Sequence, residues 1–183
     1  MIGFLKNAKK NYKKLIVALV LFLMIYLLFS GVRAVIIIIV LIAIGAGSTF
    51  YQHFFKSPIN FELIKLVTVL TSVVFGPIMG ILVGIISSFV GKIMTGRLEA
   101  DFIGSIVSLT AISLLAYAFR GADIVLLGII LVVVYHTILF PIVLSLGGNI
   151  GYGMIYSGSN IVFNIAVFSY LGRPLLWFLK NAV

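Results

Sequence analysis

The chain has 183 residues, 63% of them hydrophobic and 9% charged, with a mean hydropathy of +1.32; a soluble domain carries charge on about a quarter of its residues, so a soluble globule is excluded. The absence of Cys excludes a disulfide framework, a thiolate metal site and a cysteine nucleophile together. The net charge of +9 comes from basic residues dispersed beside apolar runs, which is the pattern of membrane flanks and not of a nucleic-acid surface, so no nucleic-acid partner is expected.

Seven apolar runs, 15–30, 34–50, 61–75, 78–95, 102–119, 124–146 and 154–171, are separated by charges, Gly or Pro. A helical span takes about 20 residues, with about 17 as the short limit. The first and third runs are therefore short. No run alternates as the strands of a lipid barrel do. The expected fold is an all-α polytopic bundle, multi-pass in the cell membrane. Residues 34–183 would supply six core transmembrane helices, and residues 1–33 a basic N-terminus with an extra hydrophobic helix.

Lys6, Lys9, Lys10, Lys13 and Lys14 precede the first run and imitate the start of a signal peptide. Ser30, Gly31, Val32 and Arg33 then make a poor cleavage site, so the run reads as a retained helix. In the second run Ala43 and Gly47 form a small-residue face that permits close helix contact. The connection 51–60 carries His53 among aromatic rings, and it could close over a small molecule. Glu62 and Lys65, three residues apart at a helix start, can pair on one face.

Gly76 and Pro77 predict a tight turn, since Pro suits the first position of the following helix. Gly80, Gly84 and Ser88 then share one face of that helix. Such a face serves either close packing within the chain or a sliding contact with a partner subunit. Lys92 falls late in its span, where its stem can snorkel to the interface. Asp101 is placed to cap the next helix, and Asp123 does the same after Arg120. These charges read as solvated boundaries, although Glu62 and Asp101 are also candidates to line a polar cavity.

His136, inside an apolar run, must find a polar partner there. The segment 147–153 is rich in glycine but lacks the Lys and Ser/Thr of a phosphate loop, leaving a connecting loop or a gate over a cavity. Asn160 and Asn164 stand one turn apart, and an amide facing hydrocarbon is costly. They serve as interior hydrogen-bond donors or as part of a ligand site with Tyr152, Tyr156 and Ser157. The residues expected to bind substrate are Asn160, Asn164, Tyr156 and His53. No catalytic constellation, metal site or cofactor motif can be assembled, so no enzyme is expected.

From about Ala34 onward the sequence resembles the substrate-binding S components of energy-coupling factor transporters. The resemblance rests on the stretch from Phe61-Glu62-Leu63-Ile64-Lys65-Leu66 into Phe75-Gly76-Pro77-Ile78-Met79-Gly80, and on Asn160-Ile161-Val162-Phe163-Asn164 running to Gly172-Arg173-Pro174-Leu175-Leu176. It implies a six-helix protein that captures a micronutrient of vitamin type without catalysis. It also implies a pocket opening outward beneath the 51–60 loop, and a membrane coupling subunit and ATPase subunits as partners. Ala43, Gly47, Gly80 and Gly84 are the expected partner-interface residues. The alternatives are a non-transporting membrane scaffold or assembly protein, or a membrane-embedded lipid enzyme using Glu99 and Asp101.

Overall fold

The computed structural model describes residues 14, 16, 19–22, 24, 30–55, 59–96 and 101–183, and among these all regular structure is helical. In chain order come α1 (Ser30–Gly47), a 3-10 turn (Phe50–His53), α2 (Ile64–Phe75), α3 (Pro77–Thr95), α4 (Asp101–Ala118), α5 (Ile124–Ser145) and α6 (Ile150–Val167). A π-helical turn (Phe168–Gly172) leads into α7 (Arg173–Ala182). The protein is a multi-pass membrane bundle. Five helical segments are long and apolar enough to cross: Gly31–His53, Pro77–Thr95, Asp101–Ala118, Ile124–Ser145 and Ile150–Ala182. Helices are imposed by the solvent, because hydrocarbon offers the backbone no partner outside the helix itself. The run 15–30 lies largely outside the described residues.

Two compact units divide the chain, residues 1–37 with 182–183 and residues 38–181. The second unit holds the helices of interest. Its packing is set by short residues facing short residues. A Cβ at Gly80 would lie 1.8 Å from the Ser72 hydroxyl, and one at Gly84 would lie 2.5 Å from that of Thr68. The Gly80 and Gly84 face is thus spent inside the chain, on α2. Gly45 of α1 meets Ser87 of α3 in the same manner, and Gly128 of α5 receives the ring of Phe168. Gly76 has φ +95, a conformation that only glycine adopts cheaply, and Pro77 follows at the start of α3 as expected.

The third run departs from expectation. It was expected to span, yet only Ile64–Phe75 is helical, 12 residues. At 1.5 Å per residue that is about 18 Å, well short of a hydrocarbon core of about 30 Å. Every residue from Ile64 to Val73 is buried, so α2 is a central pillar walled by other helices. Its hydroxyls are satisfied internally: Thr68, Thr71 and Ser72 donate to the carbonyls of Ile64, Val67 and Thr68 at 2.6–2.7 Å.

At the far end of the bundle Asp123 caps α5. Its Oδ1 accepts from the backbone N–H groups of Val125 and Leu126 at 3.0 and 3.2 Å, and its Oδ2 accepts from Arg173 at 2.9 and 3.1 Å. The Leu126 N–H, and next the Arg173 guanidinium, hold this carboxyl below the usual carboxylate range. Arg120 lies instead over the Tyr117 ring, 4.4 Å from its centroid.

Candidate functional site

The four residues that precede α2 explain what Asn160 and Asn164 do. Asn60 to Leu63 are not helical although Asn60 and Glu62 are buried, so their backbone groups need partners from elsewhere. Side chains supply them. The Asn60 N–H donates to Ser159 Oγ (3.0 Å), the Phe61 N–H to the Tyr51 hydroxyl (2.6 Å) and the Leu63 N–H to Ser48 Oγ (2.9 Å). The Asn160 amide donates to the Asn60 carbonyl (3.4 Å), and the Asn164 amide reaches the Glu62 carbonyl (3.5 Å) and the Asn160 carbonyl (3.0 Å). His136 Nε2 completes the set on Asn160 Oδ1 at 3.0 Å. Non-helical backbone inside a membrane protein is tolerated only where it is satisfied in this way.

Glu62 is thereby fixed on the wall of a cavity of about 600 Å³. That volume is in the ordinary range for a small-molecule pocket. The lining residues come from α2 to α6 and the segment that follows α1: Thr49 and Gln52 after α1, Glu62 and Ile64 at the start of α2, and Ser88 to Gly96 at the end of α3. Asp101 and Ser105 open α4, Tyr135 to Val143 close α5, and Gly148 to Ser157 open α6. The cavity is a cup at the end of the unit where α1, α3 and α5 finish and α2, α4 and α6 begin.

Charge is concentrated there. Lys65, with no exposed side-chain surface, pairs with Glu62 and lies 4.1 Å from the centroid of the Tyr135 ring. Lys92 Nζ, at the end of α3, donates to Asp101 Oδ2, at the start of α4, at 2.6 Å. Asp101 Oδ1 is buried and has no hydrogen-bond partner among the described residues. Tyr135, Tyr152 and Tyr156 add hydroxyls and ring faces, and Asn149 caps α6 through the Tyr152 N–H at 3.0 Å. Among the described residues no group of three His, Asp or Glu could hold a metal ion.

The residues singled out from sequence fall in three places. Tyr156 lines the cup, with Tyr152, Ser157 and two glycines of the 147–153 segment, Gly148 and Gly153. Asn160 and Asn164 do not line it; they sit behind the wall, fully buried, and position Glu62. His53 is exposed and packs against the rings of Phe50 and Phe54, away from the lining. Residues 56–58 of the connection that carries it are outside the described set, as is Glu99. Ala43 and Gly47 are exposed, and among the described residues no other element comes within 4 Å of a Cβ at Gly47.

Sequence reasoning gave Tyr135 no role, read Lys92 as a boundary charge that snorkels, and read Asp101 first as a helix cap and second as a candidate to line a polar cavity. Asp101 is itself the first residue of α4, with its carboxylate turned to Lys92. A signal was present. Ser88 and Lys92 are one turn apart on α3, and residues 62, 92 and 101 all belong to the same end of consecutive helices. No protein-family model, curated protein or solved structure matches the chain.

Proposed function

We propose that the chain is the substrate-capture subunit of an importer in the cell membrane, taking a micronutrient of vitamin type and binding it without catalysis. The observation that carries this reading is the cup itself. It has a pocket-sized volume, open at one end of a bundle, with five charged or amide side chains (Gln52, Glu62, Lys92, Asp101, Asn149) beside aromatic walls. A polar cavity among membrane helices is expensive to keep, and such intramembrane charges mark ligand or ion pathways. The likeness to S components adds the partners: a membrane coupling subunit and ATPase subunits that supply the energy. The exposed Ala43 and Gly47 on α1 would let a partner helix approach closely.

The test is a thermal-shift screen of the purified full chain against vitamins and their precursors. A true ligand at 100 times its Kd stabilises by about 2.7 kcal/mol. A shift for one compound that disappears in Tyr156→Ala supports capture at the cup. Absence of any shift, in protein that remains folded, returns the chain to the scaffold reading.

A further inference from the structure

The cup has a neighbour on the outer face of α5 and α6. A groove of about 420 Å³ runs between these helices, lined by the apolar side chains of Val133, Phe140, Pro141, Met154 and Ile161. Two of its polar members are already engaged: the Thr137 hydroxyl donates to the Val133 carbonyl at 2.9 Å, and His136 Nε2 is held by Asn160. Phe140 and Ser157 line both the groove and the cup. We infer that the captured molecule is an amphiphile, with a polar head in the cup and an apolar chain that leaves between α5 and α6 to lie in the groove; this inference rests on the capture reading above.

The first observation is the seam that divides the two spaces. Phe140 is the bulky member of the shared pair, and its ring rests on Gly153, 2.9 Å from where a Cβ would stand. Phe140 is half-buried, so moving its ring off the glycine does not open the core. Among the described residues the side chains of α5 and α6 share one hydrogen bond, His136 to Asn160, one turn deeper in the bundle than Phe140 and Ser157. At the level of the cup no such bond ties the two helices. The α3–α4 seam, by contrast, is tied at that level by Lys92 and Asp101 at 2.6 Å.

The second observation is that both helices are weak where that ring sits. Pro141, inside α5, has no N–H to give the Thr137 carbonyl, and a helix bends most readily at such a residue. α6 starts after Gly147, whose φ is +88, and carries Gly151, Gly153 and Gly158 in its first half. Glycine inside a helix weakens it, because no other residue loses more freedom on folding. The wall is therefore placed to part at Phe140, toward hydrocarbon. A molecule that arrives dissolved in lipid can use that opening: its head meets the polar groups of the cup, and its chain meets Val133, Met154 and Ile161.

The experiment uses the purified full chain in phosphatidylcholine nanodiscs, with thermal unfolding as the readout. The probes are heads with and without a chain, menaquinone-4 against menadione and α-tocopherol against pentamethylchromanol, beside the water-soluble thiamin, riboflavin and biotin. The expected result is stabilisation by at least one chain-bearing probe, exceeding that by its chainless head. Val133→Trp fills the groove without touching the cup and should weaken this binding about tenfold or more. Ile161→Trp fills the same groove from α6, so a folding defect in one variant does not decide the result. Leu126→Trp places the same ring on the exposed face of α5 outside the groove and should leave binding unchanged. Tyr156→Ala should weaken it from the cup side. A chainless or water-soluble compound that binds best, and is indifferent to Val133→Trp, overturns the amphiphile and leaves capture standing. Chain-bearing probes lost in Val133→Trp but kept in Tyr156→Ala make the groove an ordinary lipid site and overturn its link to the cup. No shift from any probe, in protein that remains folded, removes capture and the amphiphile with it.

Discussion

The two ends of the 38–181 unit draw on the same short polar residues and differ in what they leave between the helices. At the closed end Ser72 and Ser113 meet at 2.7 Å, Ser113 donates to the Pro77 carbonyl at 2.8 Å, and Gly80 lies against Ser72. No room remains. At the open end Ser88, Ser105 and Ser157 line the cup, together with the charged residues Glu62, Lys92 and Asp101. Lipid gives helices no hydrophobic reason to associate, so the closed end is held by backbone proximity and hydroxyl bonds. That tight end is what lets the other stay hollow. Stability and binding are therefore separable by position along the helix axis, and substitutions can probe that separation.

The largest effect is expected where a charge is buried with its partner. Lys65→Met leaves the Glu62 carboxylate buried and unpaired, and breaking such a pair costs about 3–5 kcal/mol. The double variant Glu62→Gln with Lys65→Met should recover most of the loss, since an apolar and neutral replacement of both partners is often tolerated. Denaturation of the three variants in one detergent measures this directly. If the double variant is as unstable as the single one, the pair is not what holds the start of α2.

Next comes the closed end. Gly84→Leu forces a side chain into the Thr68 contact and should cost about 1–3 kcal/mol. Gly47→Leu meets open space and should alter the stability of the isolated chain by no more than about 0.5 kcal/mol. On the capture reading Gly47→Leu nevertheless reduces co-purification of a coupling subunit. Equal stability losses in both variants would remove the distinction between an internal and an external glycine face.

A comparable loss, about 1–3 kcal/mol, is expected for Asn164→Leu, which strands the Glu62 carbonyl and removes a bond to Asn160. Because Asn164 acts through Glu62, ligand affinity should fall while binding is still detectable. Complete loss of binding in protein whose melting temperature is unchanged would make Asn164 a direct contact. That would contradict its place behind the wall.

These cases show what the sequence could reveal. The membrane class, the Gly76–Pro77 turn, the Glu62–Lys65 pair and the interior position of Asn160 and Asn164 all follow from local rules: span length, proline geometry, helical spacing and the cost of an amide in hydrocarbon. The extended stretch before α2 does not. Nothing local marks Asn60 to Leu63 as non-helical, and the side chains of Tyr51, Ser48, Ser159, Asn160 and Asn164, the last three about a hundred residues away, make that backbone tolerable. The cup was hidden for a similar reason. Lys92 and Asp101 lie near helix ends, where charges are ordinary, and their convergence with Tyr135 depends on tertiary packing.

The smallest effect belongs to the rim opposite the cup, and pH gives its sign. The Asp123 carboxyl is held below its ordinary value of about 3.9 by the Leu126 N–H and by Arg173. A group depressed in the folded state stabilises at pH above its unfolded value, and that contribution is lost as pH falls through the lower folded value. Asp123→Asn keeps a capping side chain at α5 and removes the charge that faces Arg173. At pH 7 the variant should therefore melt slightly below the parent. The gap should narrow from about pH 3.9 downward as the parent's carboxyl is protonated. Both partners are exposed, so added salt should narrow the gap at pH 7 as well. A gap that is independent of pH and salt would assign the difference to helix capping alone and leave the Arg173 contact without a role in stability.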